Sequence, residues 1–146
     1  MSENIASYFN KAEENRIIDA IQAAEAQTSG ELRVHVSHKK DADALKTTQE
    51  LFNELRMFNT RHRNGVLIHI SIASKAFAIY GDKGINKVVP NNFWETTRNI
   101  IQEHFVNGNM VEGICAGIES VGEQLKEHFP WQTDDINELP DEITYD

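Results

Sequence analysis

The sequence predicts a three-layer α/β/α domain in which a small mixed β-sheet is sandwiched between helices. Three observations lead there. Two strand-like runs are separated by one amphipathic helical stretch, a short turn then leads into a third apolar run, and helical stripes lie on both sides of this block. With 146 residues, 40% hydrophobic and 25% charged, the chain has enough material for one continuous core and not for two full domains.

The elements follow in order. Ala12, Ile17, Ile18, Ile21 and Ala24 fall at helical spacing, Asn10 with Glu13 three residues later makes a capping box, and Gly30 supplies a stop. Glu31 to Ser37 alternates, with Leu32, Val34 and Val36 on one side and Glu31, Arg33 and His35 on the other, so one face of this strand should be covered more than the other. Asp41 or Asp43 then opens a second helix striped by Leu45, Leu51, Phe52 and Leu55. Gly65 to Ile72 is apolar on both faces, as a central strand should be. Strand, helix and strand make a βαβ unit, whose right-handed crossover sets the two strands parallel. Ala73-Ser74-Lys75 turns the chain into Ala76 to Tyr80, an antiparallel hairpin partner. Two helices complete the pattern, one striped from Phe93 to Phe105 and one from Met110 to Leu125, separated by Asn107-Gly108-Asn109.

Charge divides the chain differently. The net charge is −9, yet the segment after Phe129 carries six acidic groups and no basic one, which leaves residues 1–129 nearly balanced. Residues 1–129 are therefore expected to form the domain, and residues 130–146 an acidic, flexible, solvated tail that Trp131 could anchor at its start. An acidic balance disfavours a nucleic-acid surface. No run approaches the roughly 20 apolar residues of a membrane span, and the first residues lack the pattern of an export signal. A soluble, cytoplasmic monomer is the expectation. A single cysteine, Cys115, falls on the apolar stripe of the last helix and reads as an inert core thiol.

Known cofactor motifs are missing. There is no G-x-G-x-x-G, no G-x-x-x-x-G-K-[ST], no H-E-x-x-H and no G-x-S-x-G. Asp41-Ala-Asp43 resembles an aspartyl-phosphate D-x-D only superficially, and capping of the second helix is its expected role. His35 and His69 fall within strands and read as packed or surface-facing sheet residues; none of the six histidines forms an H-x-H or H-x-x-x-H pair.

Strand direction suggests a constellation that no motif reveals. If strands one and two are parallel and strand three returns, one edge of the sheet collects Glu31, Asn64 and Asp82, each beside a glycine that permits a tight turn. Carboxylates, an amide oxygen and backbone carbonyls are the ligand set of a hard divalent cation. The same residues also serve as turn formers and ion-pair partners, with Arg63 and Lys83 close in sequence. Glu112, third in its helix after Asn109, fits a capping box regardless of function.

Four segments, Thr28-Ser-Gly-Glu-Leu-Arg-Val34, Asn64-Gly-Val-Leu-Ile68, Tyr80-Gly-Asp-Lys-Gly-Ile85 and Met110-Val-Glu-Gly-Ile114, resemble the successive signatures of the TPM domain family over roughly residues 10 to 129. That family includes thylakoid-lumen proteins associated with photosystem II repair and many bacterial proteins. The resemblance implies a mixed sheet between helices, a divalent-cation site that prefers Ca²⁺ in some members, with Mg²⁺ an alternative, and a proposed acid phosphatase activity in the thylakoid branch. It implies Glu31, Asp82 and Glu112 as metal ligands, with Asn64 beside them. The expected function is therefore cation binding. The alternatives are a metal-dependent phosphomonoesterase and a non-catalytic protein-interaction domain that docks a partner through the acidic tail or an exposed helix face.

Overall fold

The computed structural model describes residues 9–131 and 142–146. Helix α1 (Lys11–Glu25) begins at the expected capping box, where Asn10 and Glu13 exchange side-chain to backbone hydrogen bonds. Strand β1 (Glu31–Ser37) leads to α2 (Ala44–Glu54) and then to β2 (Gly65–Ser71), which lies parallel to β1 in the register Glu31 to Gly65. Strand β3 (Ala76–Gly81) returns antiparallel to β2, after a turn in which Lys75 takes a left-handed backbone, φ 51°. A one-turn helix α3 (Lys83–Asn86), then α4 (Glu95–Val106) and α5 (Met110–His128) follow.

The two faces of the sheet pack differently. Leu32, Val34, Val36, Val66, Ile68, Ile70 and Ile79 meet α1, α4 and α5 in the main core, where Ile17, Ile21, Ile114, Ile118 and Val121 are fully enclosed. On the opposite face α2 lays Leu51 and Phe52 on Leu67, with Met57 closing a smaller core. These are the three layers that the alternating pattern predicts, and the mixed sheet is as expected. Among the described residues, no helix is long and apolar enough to cross a membrane.

Two expectations change. Past Phe129 the chain is not wholly a solvated extension: Pro130 bridges to Thr28, and β4 (Ile143–Tyr145) adds a parallel strand to the free edge of β1, giving the order β3-β2-β1-β4. Alternating Ile143 and Tyr145 supply the apolar positions that a run of acidic residues hides from view. Trp131 does not anchor the segment, since it is 47% exposed; residues 132–141 lie outside the described residues. Nor is one face of β1 covered more than the other, because all seven residues of the strand are buried.

Candidate functional site

The edge where β1 and β2 begin and β3 ends brings Glu31, Asn64 and Asp82 together. The Glu31 N–H donates to the Asn64 carbonyl at 3.3 Å, and the Asp82 N–H donates to the Gly65 carbonyl at 2.9 Å. Glu31 is the register partner of Gly65, and Asp82 follows directly on Gly81, the last residue of β3 and the partner of Val66. Position 65 must be glycine, because a Cβ there would lie 2.8 Å from the Met57 carbonyl oxygen, which packs against the start of β2. Gly84 is equally constrained, because an added Cβ would overlap the His62 carbonyl and lie 2.6 Å from that of Arg63.

Each edge residue is buried. Asp82 caps α3 by accepting from the Lys83 N–H at 2.7 Å, and Arg63 grips the same carboxylate with two bonds, 2.7 Å from Nε and 3.0 Å from Nη2. Arg63 has a left-handed backbone (φ 51°), a conformation disfavoured for a residue with a side chain. Its carboxylate partner raises the guanidinium's already high pKa, chiefly by accepting these hydrogen bonds. Asn64 is fully buried. Its backbone N–H donates to the Thr60 hydroxyl, its Nδ2 donates to Ser29 Oγ at 3.3 Å, and its Oδ1 has no hydrogen-bond partner among the described residues. An Asx-turn would have used that oxygen; none forms here.

Glu112 belongs elsewhere. The Leu125 side chain reaches the strand-start edge, where it contacts the position a Gly30 Cβ would take. Glu112 lies more than three turns earlier in α5, roughly 20 Å back along the axis at 1.5 Å per residue. There it pairs with Arg16 of α1, both side chains about half exposed. Asn109 makes no side-chain cap, so the capping box expected for Glu112 is not built either. Among the described residues no three of His, Cys, Asp and Glu are grouped to hold a metal ion. Any cation at the strand-start edge would therefore depend on the neutral oxygens of Asn64 and the backbone.

Sequence reasoning missed a second polar cluster, at the opposite ends of β1 and β2. His35 and His69 are in-register partners, both buried, with rings stacked 5.5 Å apart at 30°. His69 Nε2 meets Asp41 Oδ2 at 2.9 Å, and Asp41 also accepts from the Thr47 hydroxyl at 2.8 Å. Asp43, not Asp41, caps α2, by accepting from the Lys46 N–H. Burial works to raise the Asp41 pKa, but the bonds from Thr47, His69 and the Asp43 N–H prevail and hold it below the usual carboxylate range. A cleft of about 250 Å³ opens beside this cluster, lined in part by Ser37, Lys39, Asp41, Thr47 and Asp146. The legible signal is a shared triplet, His35-Val-Ser37 in β1 and His69-Ile-Ser71 in β2, which the parallel register lays side by side.

Comparisons with known proteins agree with this architecture. Residues 3–124 match the family model described as the TPM domain. The chain is similar to the BA42 protein of the psychrophilic bacterium Bizionia argentinensis, whose NMR structure it matches at 47% identity over 99% of each chain with a TM-score of 0.90. It also resembles the N-terminal domain of the cg2496 protein from Corynebacterium glutamicum, at 13% identity over 92% of this chain and 79% of that one, with a TM-score of 0.64, a likeness of fold alone. No curated protein matches the chain.

Proposed function

This chain belongs to the TPM domain family, and on that premise we propose that it binds a divalent cation at the strand-start edge, with Glu31, Asn64 and Asp82 as the side chains that would hold it. The observation that carries this reading is Asn64 Oδ1, a buried acceptor without a hydrogen-bond partner among the described residues. An unmet buried acceptor costs about 1–3 kcal/mol, and a cation would remove that cost. Two carboxylates supply charge, while the Met57 carbonyl over Gly65 is a neutral oxygen of the kind that completes such a shell. Ca²⁺ suits this irregular mixture of oxygens better than Mg²⁺, which demands near-ideal octahedral geometry.

Without the cation, Arg63 supplies the positive charge at Asp82. Cation binding would compete with that guanidinium, so the affinity is expected to be modest. Glu112 is no part of this proposal, because α5 carries it to the other end of the domain. The phosphomonoesterase alternative would use the cation to polarise a phosphoryl oxygen, and it depends on the same binding event. The docking-tail alternative loses support, since residues 143–145 are engaged in the sheet.

The test is an amide NMR titration of the chelator-treated protein with CaCl₂, then with MgCl₂. Saturable shifts at residues 30–31, 63–65 and 81–84, with none at 110–113, are the expected result. No saturable shift in the first three segments would assign these residues to turns and caps and end the cation reading.

A further inference from the structure

We infer that His35 forms an acid-sensitive clasp for β4: while its imidazole is neutral the strand is docked on β1, and proton uptake loosens it. The geometry begins with the docking itself. Val34, His35 and Val36 pair with Ile143, Thr144 and Tyr145, the Asp146 N–H donates to the Val36 carbonyl at 3.1 Å, and the His38 N–H donates to the Asp146 carbonyl at 3.0 Å. One imidazole reaches the middle residue of this short strand and the residue that follows it. His35 Nδ1 lies 2.7 Å from Thr144 Oγ1, and His35 Nε2 lies 3.2 Å from the Asp146 carboxylate, close enough for charge attraction but not aligned as a hydrogen bond.

A neutral His35 ring fits these contacts. With the proton on Nε2, facing Asp146, Nδ1 is free to accept from the Thr144 hydroxyl. A second proton on His35 would force that hydroxyl to reverse. The surrounding charges are nearly balanced. Lys39, 3.9 Å from Asp146, and Arg33, two residues earlier on the same face of β1, oppose an imidazolium. Asp146 favours one, but Asp41 is already engaged by His69 and Thr47, and Glu142 faces Arg33 at 4.0 Å. Burial therefore decides the balance, and it holds His35 below its ordinary pKa despite Asp146, with His69 and Lys39 adding to the effect.

The sign follows from linkage. A histidine whose folded pKa is depressed contributes full stability above the free imidazole's value of about 6.5, and that contribution falls as the pH drops below it. The loss should appear first at β4, a three-residue, half-buried edge strand, and not in the enclosed strands β1 and β2.

The experiment is amide hydrogen exchange on the full chain at pH 7.5 and 5.0, corrected for intrinsic rates. The amides of Asp146 and His38 should lose protection at pH 5.0 relative to those of β2. Unchanged or slower exchange there would overturn the proposal. His35→Gln keeps hydrogen-bonding capacity without titrating, and β4 exchange in it should be independent of pH. Should that variant fail to fold, the imidazole ¹⁵N titration of the wild-type chain decides: a His35 midpoint below about 6.5 is required, and one at or above it refutes the clasp.

Discussion

Replacing Asn64 by alanine separates a turn-forming amide from a ligand. In chelator, the variant loses the 3.3 Å bond from Nδ2 to Ser29, worth about 0.5–1.5 kcal/mol, and some packing of the carboxamide. It also removes a buried acceptor with no hydrogen-bond partner among the described residues, whose desolvation costs about 1–3 kcal/mol in the folded state. These terms oppose one another, so Asn64→Ala should melt within about 1 kcal/mol of wild type when no cation is present. With Ca²⁺ at a hundredfold excess over Kd, the wild type should gain about 2.7 kcal/mol by mass action, and the variant almost nothing. For a domain of this size, that gain corresponds to about 8 °C in Tm. Circular-dichroism melts in EDTA and in CaCl₂ provide the comparison. A variant destabilised by more than about 2 kcal/mol in EDTA would mean that the amide oxygen is satisfied in the cation-free fold. Equal Ca²⁺ stabilisation of variant and wild type would mean that the oxygen is not a ligand.

Four further outcomes are expected. Gly84→Ala should destabilise the domain by about 2 kcal/mol or more in urea melts, since the new methyl meets the backbone carbonyls of His62 and Arg63, which cannot rotate away; a loss below about 0.5 kcal/mol would show that the loop yields freely. Asp43→Ala should cost about 1 kcal/mol as a lost cap, whereas Asp41→Ala should cost about 2–3 kcal/mol by stranding His69 Nε2 and the Thr47 hydroxyl, and the reverse order would refute the division of roles. Because the folded Asp41 pKa is depressed, its contribution is present above the unfolded carboxylate value and lost as pH falls through the folded one, so Asp41→Asn should flatten the acid-unfolding profile below about pH 4. Glu112→Gln, at an exposed ion pair, should leave both the melting temperature and the Ca²⁺ titration unchanged; a lost Ca²⁺ response would restore it to the site.

Residues whose role depends on local spacing were legible in the sequence. The Asn10 box, the βαβ unit, the hairpin at Lys75 and the two long helical stripes need only periodicity and caps. The meeting of Glu31, Asn64 and Asp82 was legible too, because parallel and antiparallel pairing fix which strand ends share an edge. Glu112, which only the family resemblance implied, lies outside that reasoning. Its motif is adjacent in sequence to nothing at that edge, and only the direction of α5 shows how far away it lies. The His35 cluster was hidden for another reason: period-two alternation distinguishes polar from apolar faces, but it cannot tell a polar face in water from one that is buried. Strand β4 was hidden by composition, since acidic neighbours outweigh the Ile143 and Tyr145 that dock it.

The two polar clusters are ends of one buried row, Glu31, Arg33, His35 and Ser37. Arg33 stands between them, its side chain 6% exposed, with Nε lacking a hydrogen-bond partner among the described residues and with Glu142 at 4.0 Å. Four residues of extended chain separate Glu31 from His35, roughly 13 Å at 3.3 Å per residue. At an effective dielectric constant of about 20, one unit of charge gained at Glu31 is felt at His35 as about 1 kcal/mol, close to one pKa unit. A cation at the strand-start edge would add positive charge to the row and oppose protonation of His35, so it would favour the neutral ring and keep β4 docked at lower pH. Such a coupling would need no moving part between the two ends, because β1 itself fixes their separation.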